Sequence, residues 1–164
     1  MANRILLDVE EGLEIPSWME NVRPFVEKAL SFLKFDNEEI SILFCSDEFI
    51  KNLNKEYRNI DSPTDVLSFE NGMEYEDEDE NVWFSAGDIV ISLETLPKNA
   101  EYFEVGEDEE LKRLLIHGIL HLNGYDHGEE HVEKGKEPVC QMLKIQKEAM
   151  QALADETIMG KTEN

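Results

Sequence analysis

Three of the four histidines in the chain, His117, His121 and His127, fall within eleven residues of one another. A neutral imidazole carries one lone pair on a ring nitrogen, which makes histidine a ready metal ligand. His117 and His121 are four apart, so one helix face presents both rings to a common point. Gly124 follows, the residue that best accepts the left-handed backbone ending a helix, and a turn there lets His127 reach the same point. Three imidazoles around one cation, with a fourth position left for water, are a recurrent catalytic zinc arrangement. The expectation is one metal ion per chain, zinc first among the ions that imidazole suits. A lone histidine on an apolar face is ordinarily a core residue, but three at helix-plus-turn spacing read as a ligand set. His131 sits among Gly128, Glu129 and Glu130 and reads as an exposed side chain, not a ligand. Asp126 reads equally as a turn residue or as a carboxylate that orients a ligand imidazole.

The spacing admits two chemistries. Histidines at positions one, five and eleven, with glycine at eight, match the ligand pattern of metzincin peptidases. Those enzymes need a glutamate directly after the first histidine as general base, and here that position is Gly118. Phosphodiester hydrolysis needs no glutamate there, because a bound cation polarises a phosphoryl oxygen and activates water. It does call for a further positive group to meet the phosphate. Arg58, with its planar bidentate guanidinium, is the candidate. An ion pair with Asp61 or Asp65 is the competing reading of that residue. Arg58 and the metal-holding His117 are therefore the candidate catalytic residues.

The ligand helix is expected over 108–123. Its N-terminal acids, Glu107 to Glu110, suit the positive end of a helix, and Leu111, Leu115, Gly118 and Leu122 make a buried stripe beside the histidines. Strands are expected at Arg4–Val9, Ile40–Cys45, Val66–Phe69 and Trp83–Ser92. Helices are expected from Pro16 to Lys34, after an N-cap at Ser46, over 93–104, and from Pro138 to Ala152. Asp61-Ser62-Pro63-Thr64 reads as a turn. The fold class is α+β: a single domain over residues 1–154, one mixed sheet of about four strands surrounded by helices, with a zincin-like metal helix. Residues 155–164 are expected to fray.

Composition narrows the setting. A length of 164 residues suits one core. Cys45 and Cys140 show no paired spacing and read as reduced thiols. The N-terminus has acids just after its short apolar run, and no stretch reaches the roughly eighteen apolar residues of a membrane span. A cytoplasmic protein with no membrane contact is the expectation. The net charge of -23 opposes nucleic-acid binding on its face. Its distribution is uneven, however: residues 112–127 hold Lys112 and Arg113 against Asp126 alone, and residues 47–58 are charge-balanced. Residues 70–80 contain seven acids and no base, and read as a solvated, mobile loop between two strands.

HGILHLNGYDH at 117–127 resembles the signature H-G-x-L-H-L-x-G-Y-D-H of the YbeY family, bacterial metal-dependent endoribonucleases of ribosomal RNA maturation. YRNIDSPTDVLSF, from Tyr57 to Phe69, resembles a second motif of that family, and GDIVIS at 87–92 a third. The similarity covers about residues 40–127. It implies a zinc-type site at His117, His121 and His127 and a functional arginine at Arg58. It also implies cleavage of single-stranded RNA, processing of the small-subunit ribosomal RNA 3′ end, ribosome quality control, and RNA and the ribosome or its small subunit as partners. The acidic run and the extreme net charge depart from what RNA binding suggests. A metzincin-like metallopeptidase and a non-catalytic, metal-stabilised ribosome assembly factor are the alternatives.

Overall fold

ISILFC is apolar on both faces, and it becomes an inner strand of the sheet. The structure, a computed structural model, describes residues 3–127 and 137–160. Its elements run β1 (Arg4–Val9), a 3-10 turn (Met19–Asn21), α1 (Val22–Phe32), β2 (Glu38–Cys45), α2 (Asp47–Arg58), β3 (Val66–Glu76), β4 (Val82–Ser92), α3 (Thr95–Phe103), α4 (Glu107–Leu122) and α5 (Gln141–Ala152). The strands form one sheet in the order β1-β2-β4-β3, with β1, β2 and β4 parallel and β3 antiparallel to β4. This is the mixed four-stranded α+β sheet expected from the sequence.

The ligand helix α4 is the centre of the core. It packs on β3, β4, α1, α3 and α5, so its burial exceeds the single stripe expected: Leu114, Ile116, Ile119 and Leu120 are as fully buried as Leu111 and Leu115. Each such aliphatic side chain contributes about 1.5–3 kcal/mol over its exposed form. The histidines thus sit on an element that the whole core holds in place. Ser46 caps α2, its Oγ accepting from the Phe49 amide at 3.2 Å. At the other end Asn59 takes the left-handed conformation at φ 59°, and buried Asn54 donates to the Ser62 carbonyl at 3.0 Å. Those two contacts set where Arg58 leaves the helix.

Three boundaries differ from expectation. The stretch from Pro16 opens with the 3-10 turn, and α1 begins only at Val22. α5 begins at Gln141, not at Pro138. The acidic run is mostly not a loop: β3 continues to Glu76, pairing Met73 with Ser85 and Tyr75 with Trp83 after a register shift between Glu70 and Met73, and a turn spans Asp77 to Asn81. Asp77 organises that turn. Its carboxylate accepts from the Asp79 and Asn81 amides at 2.9 and 3.0 Å, from Trp83 Nε1 at 2.9 Å and from Arg4 at 3.3 Å. The Trp83 bond and these amides lower its pKa to about 2. Glu70, Glu74 and Glu76 stand along the edge strand β3, where charge discourages pairing with a second sheet, and Glu78, Asp79 and Glu80 lie in the turn.

The tail does not fray through Met159. Ile158 is fully buried, Asp108 accepts from the Ile158 and Met159 amides, both at 2.8 Å, and Lys112 Nζ donates to the Glu156 carbonyl at 2.9 Å. His131 lies outside the described residues. Cys45 and Cys140 are free, as expected. Among the described residues no helix is long and apolar enough to cross a membrane.

Candidate metal centre

Arg113, His117 and His121 succeed one another at steps of four on α4 and share one face of the helix. The helix ends in paired bonds of the Schellman type, Tyr125 N–H to the Leu120 carbonyl at 3.0 Å and Gly124 N–H to the His121 carbonyl at 3.1 Å. Gly124 carries the required left-handed backbone at φ 89°. Asn123 clamps the exit, donating to Ile119 O at 2.9 Å and to the buried Glu38 carboxyl at 3.1 Å. The chain turns back and delivers His127 to the other two rings.

One ligating atom from each of the three imidazoles lies within 4.8 Å of the others, the geometry of a set that could hold one metal ion. His117 Nε2 and His121 Nε2 are 3.1 Å apart, and the ring centroids are separated by 4.6, 5.2 and 5.3 Å. The Nδ1 of His117 meets the amide oxygen of Gln146 at 2.8 Å. An amide oxygen only accepts, so the ring hydrogen belongs on Nδ1 and the lone pair is left on Nε2, toward the other rings. Burial lowers the His117 pKa to about 3, aided by nearby His121, Arg113 and His127. Burial also lowers that of His121, with His127 next in effect, while the Asp126 carboxylate opposes it. Both rings therefore favour the neutral, ligating form, and the donor set fits a borderline cation such as zinc.

These shifts predict a pH dependence of the metal-free protein. An unfolded His117 takes a proton near its ordinary value of 6.5, while the folded one resists to about 3. Between those values the unfolded chain binds more protons, so stability falls as pH falls. Glu38, whose carboxyl is raised by burial, works in the opposite sense. Melting the chelated wild type beside chelated His117→Gln from pH 7 to 5 separates the two. The wild type should lose the more stability over that interval, and equal slopes would remove His117 as the cause.

The triad opens into a cavity of about 390 Å³ whose wall also includes Arg58, Asp65, Asn99 and Arg113. Arg58 thus stands with the histidines. Among the described residues no ion pair of Arg58 is found: Asp61 faces Lys51 at 3.9 Å and Asp65 faces Arg113 at 3.5 Å. Three wall or support residues escaped the sequence reading. Arg113 was visible at four before His117. Asp65 lies inside the Tyr57–Phe69 stretch, where the sequence offers it only as an ion-pair partner of Arg58, and nothing local marks Gln146. Arg113 is bound through Nε and Nη2 by the buried Glu110 carboxylate at 2.8 and 2.6 Å, with its guanidinium over the Phe103 ring at 5.1 Å. That contact raises its pKa further, against the opposing effect of burial.

The position of the peptidase base is also explained. A Cβ on Gly118 would lie 2.9–3.0 Å from three side-chain atoms of Ile89, because α4 rests directly on β4 there. Even the Cβ of a glutamate there would require Ile89 to shift.

Comparison with known proteins places the fold in a family. The family model described as endoribonuclease YbeY matches residues 8–154. A protein named endoribonuclease YbeY from Treponema denticola is 51% identical over 152 residues, 92% of this chain and 93% of that protein. One of the same name from Aquifex aeolicus is 42% identical over 72% of each chain. The solution structure of TM1509 from Thermotoga maritima superposes with a TM-score of 0.59 at 28% identity, covering 92% of this chain and 90% of that one. With the family model spanning nearly the whole fold and the curated relatives aligned along it, this chain belongs to the endoribonuclease YbeY family.

Proposed function

We propose that the protein is a single-strand-specific, metal-dependent endoribonuclease that acts in ribosomal RNA maturation, including 3′-end processing of the small-subunit RNA and ribosome quality control. The observation that carries the reading is the convergence of three imidazoles and two arginines on one cavity. The family supports RNA as the substrate. His117, His121 and His127 hold one ion, zinc in this reading, and the ribosome or its small subunit in the cytoplasm is the working partner. A bound ion supplies Lewis acidity toward a phosphoryl oxygen and toward water.

The chain's own residues do the rest. Gln146 fixes the tautomer and orientation of His117. Arg58 offers its fork to the phosphate from the end of α2. Arg113, immobilised by Glu110 and Phe103, adds a fixed positive group to the wall. An unpaired strand can lower its backbone onto this wall. The acid excess stands largely elsewhere, much of it along the hairpin of β3 and β4.

The test is cleavage of single-stranded RNA, duplex RNA and casein by native and chelated protein. Cleavage of single-stranded RNA alone, lost on chelation, is the expected result, whereas casein cleavage would favour a peptidase. Arg58→Ala should keep its metal and lose roughly ten- to a hundredfold in RNA cleavage, the worth of a charge-assisted contact of about 1.5–3 kcal/mol. Arg58→Lys should recover part of that, because lysine keeps the charge without the planar fork. If Arg58 were only a surface residue, the alanine variant would cleave normally and lose about 0–1 kcal/mol of stability at most.

A further inference from the structure

Three imidazoles and two arginines leave one proton unassigned, that of the attacking water. The metzincin answer, a carboxylate beside the first histidine, is closed by the contact of Gly118 with Ile89. Among the described residues lining the cavity, one is a carboxylate, Asp65. It stands just before β3, with its side chain 24% exposed. Its Oδ1 accepts from the Val66 amide at 2.8 Å and from Thr64 Oγ1 at 3.3 Å. Its Oδ2 accepts from Asn99 Nδ2 on α3 at 2.8 Å and faces Arg113 Nη2 on α4 at 3.5 Å. Glu110 already grips Arg113 with both oxygens, so the cluster of Glu110, Arg113 and Asp65 keeps one net negative charge, and Asp65 is its member on the cavity wall. Asp65 is not part of the ligand set: among the described residues, the atoms lying within 4.8 Å of one another belong to the three histidines alone. Asp65 is thus a carboxylate held in place on the wall of the cavity that the triad also lines, outside the ligand set, and a carboxylate so held can accept a proton from a water bound in that cavity.

We propose that Asp65 is the general base of the reaction. The inference rests on the ribonuclease reading above. Water gives its proton to a carboxylate oxygen of Asp65 as its own oxygen bonds to phosphorus. The phosphorus–oxygen bond to the leaving ribose breaks, and that oxygen takes a proton from solvent water. Asp65 then returns its proton to solvent, so one water has been added across the phosphodiester. The charged groups near Asp65 are Arg113, which faces it from α4, Glu110 behind Arg113, and Arg58 of α2 on the same cavity wall, which the neutral imidazoles of the triad also line.

The competing role is structural, with Asp65 only tying β3 to α3 through Asn99. Asp65→Asn keeps the shape and the acceptor for Val66, and Asp65→Glu keeps the carboxylate. Metal content, RNA affinity and cleavage rate against pH are measured for both and for the wild type, all metal-replete. Asp65→Asn should keep its metal and its RNA affinity, lose roughly a hundred- to ten-thousandfold in rate, and lose the rise of rate with pH on the acid side. Asp65→Glu should regain part of the rate, short of the wild type, together with that rise. Near-normal cleavage by Asp65→Asn, loss of metal or RNA affinity with the rate, or no recovery in Asp65→Glu would each overturn the assignment. If Asp65→Asn fails to fold, Asp65→Glu decides alone: a reduced rate with the acid-side rise retained supports the base, and an unchanged rate removes it. A wild type that holds metal but leaves RNA intact would sink the ribonuclease reading, and this assignment with it.

Discussion

Alanine at His117 or at His121 should leave the protein folded and without its metal, and RNA cleavage should vanish with the ion. The geometry gives the reason. The two Nε2 atoms are 3.1 Å apart and one atom of His127 completes a set within 4.8 Å, so each ring supplies a third of the protein's hold on the ion. Two imidazoles cannot close the same site. A graded companion tests the support beneath it. Gln146→Leu removes the acceptor that orients His117 and should weaken metal affinity by about 10–100-fold, the usual cost of losing such a partner. Elemental analysis and metal titration of the wild type and the three variants measure both effects. Wild-type metal content in both alanine variants would end the proposal that these histidines are the ligands.

Installing the peptidase glutamate, Gly118→Glu, should wreck the fold and not create a peptidase. The new Cβ alone would press within 2.9–3.0 Å of Ile89, a fully buried residue of β4. Overpacking of that kind costs about 1–3 kcal/mol. The carboxylate would add the penalty of a buried, unpaired charge, several kcal/mol more. Together these are a large share of the roughly 5–15 kcal/mol that holds a domain folded. Gly118→Ala carries the first cost without the second and should melt between the wild type and Gly118→Glu. At this chain length each kcal/mol moves the melting temperature by about 2–4 °C. Thermal melts and a casein assay decide the matter. A Gly118→Glu protein that melts like the wild type and cleaves casein would overturn this account of why glycine stands there.

The family membership bears on how far these results carry. Two curated relatives from Treponema align with this chain over 93% and 81% of their own length. The acidic hairpin that the sequence suggests is a loose appendage is part of the sheet, tied to β1 by Arg4, whose guanidinium also lies 4.1 Å over the Trp83 ring.

Much of the site is legible without coordinates because it is local. His117 and His121 share a face through the period of the helix, Gly124 ends that helix through its own backbone freedom, and Ser46 caps α2 through a bond three residues away. The charge balance that singles out Arg58 is likewise a property of one segment. These features depend on interactions within a turn or two, which the order of residues determines. The tertiary structure alone decided the rest. Gln146 reaches His117 across 29 positions, Asn99 reaches Asp65 across 34, and Asp108 holds Ile158 across 50. No periodicity announces such pairs, since glutamine, asparagine and aspartate at those positions look like any solvated side chain. They become partners only when packing α3, α4 and α5 onto the sheet withdraws them from water, because a polar group then needs a partner.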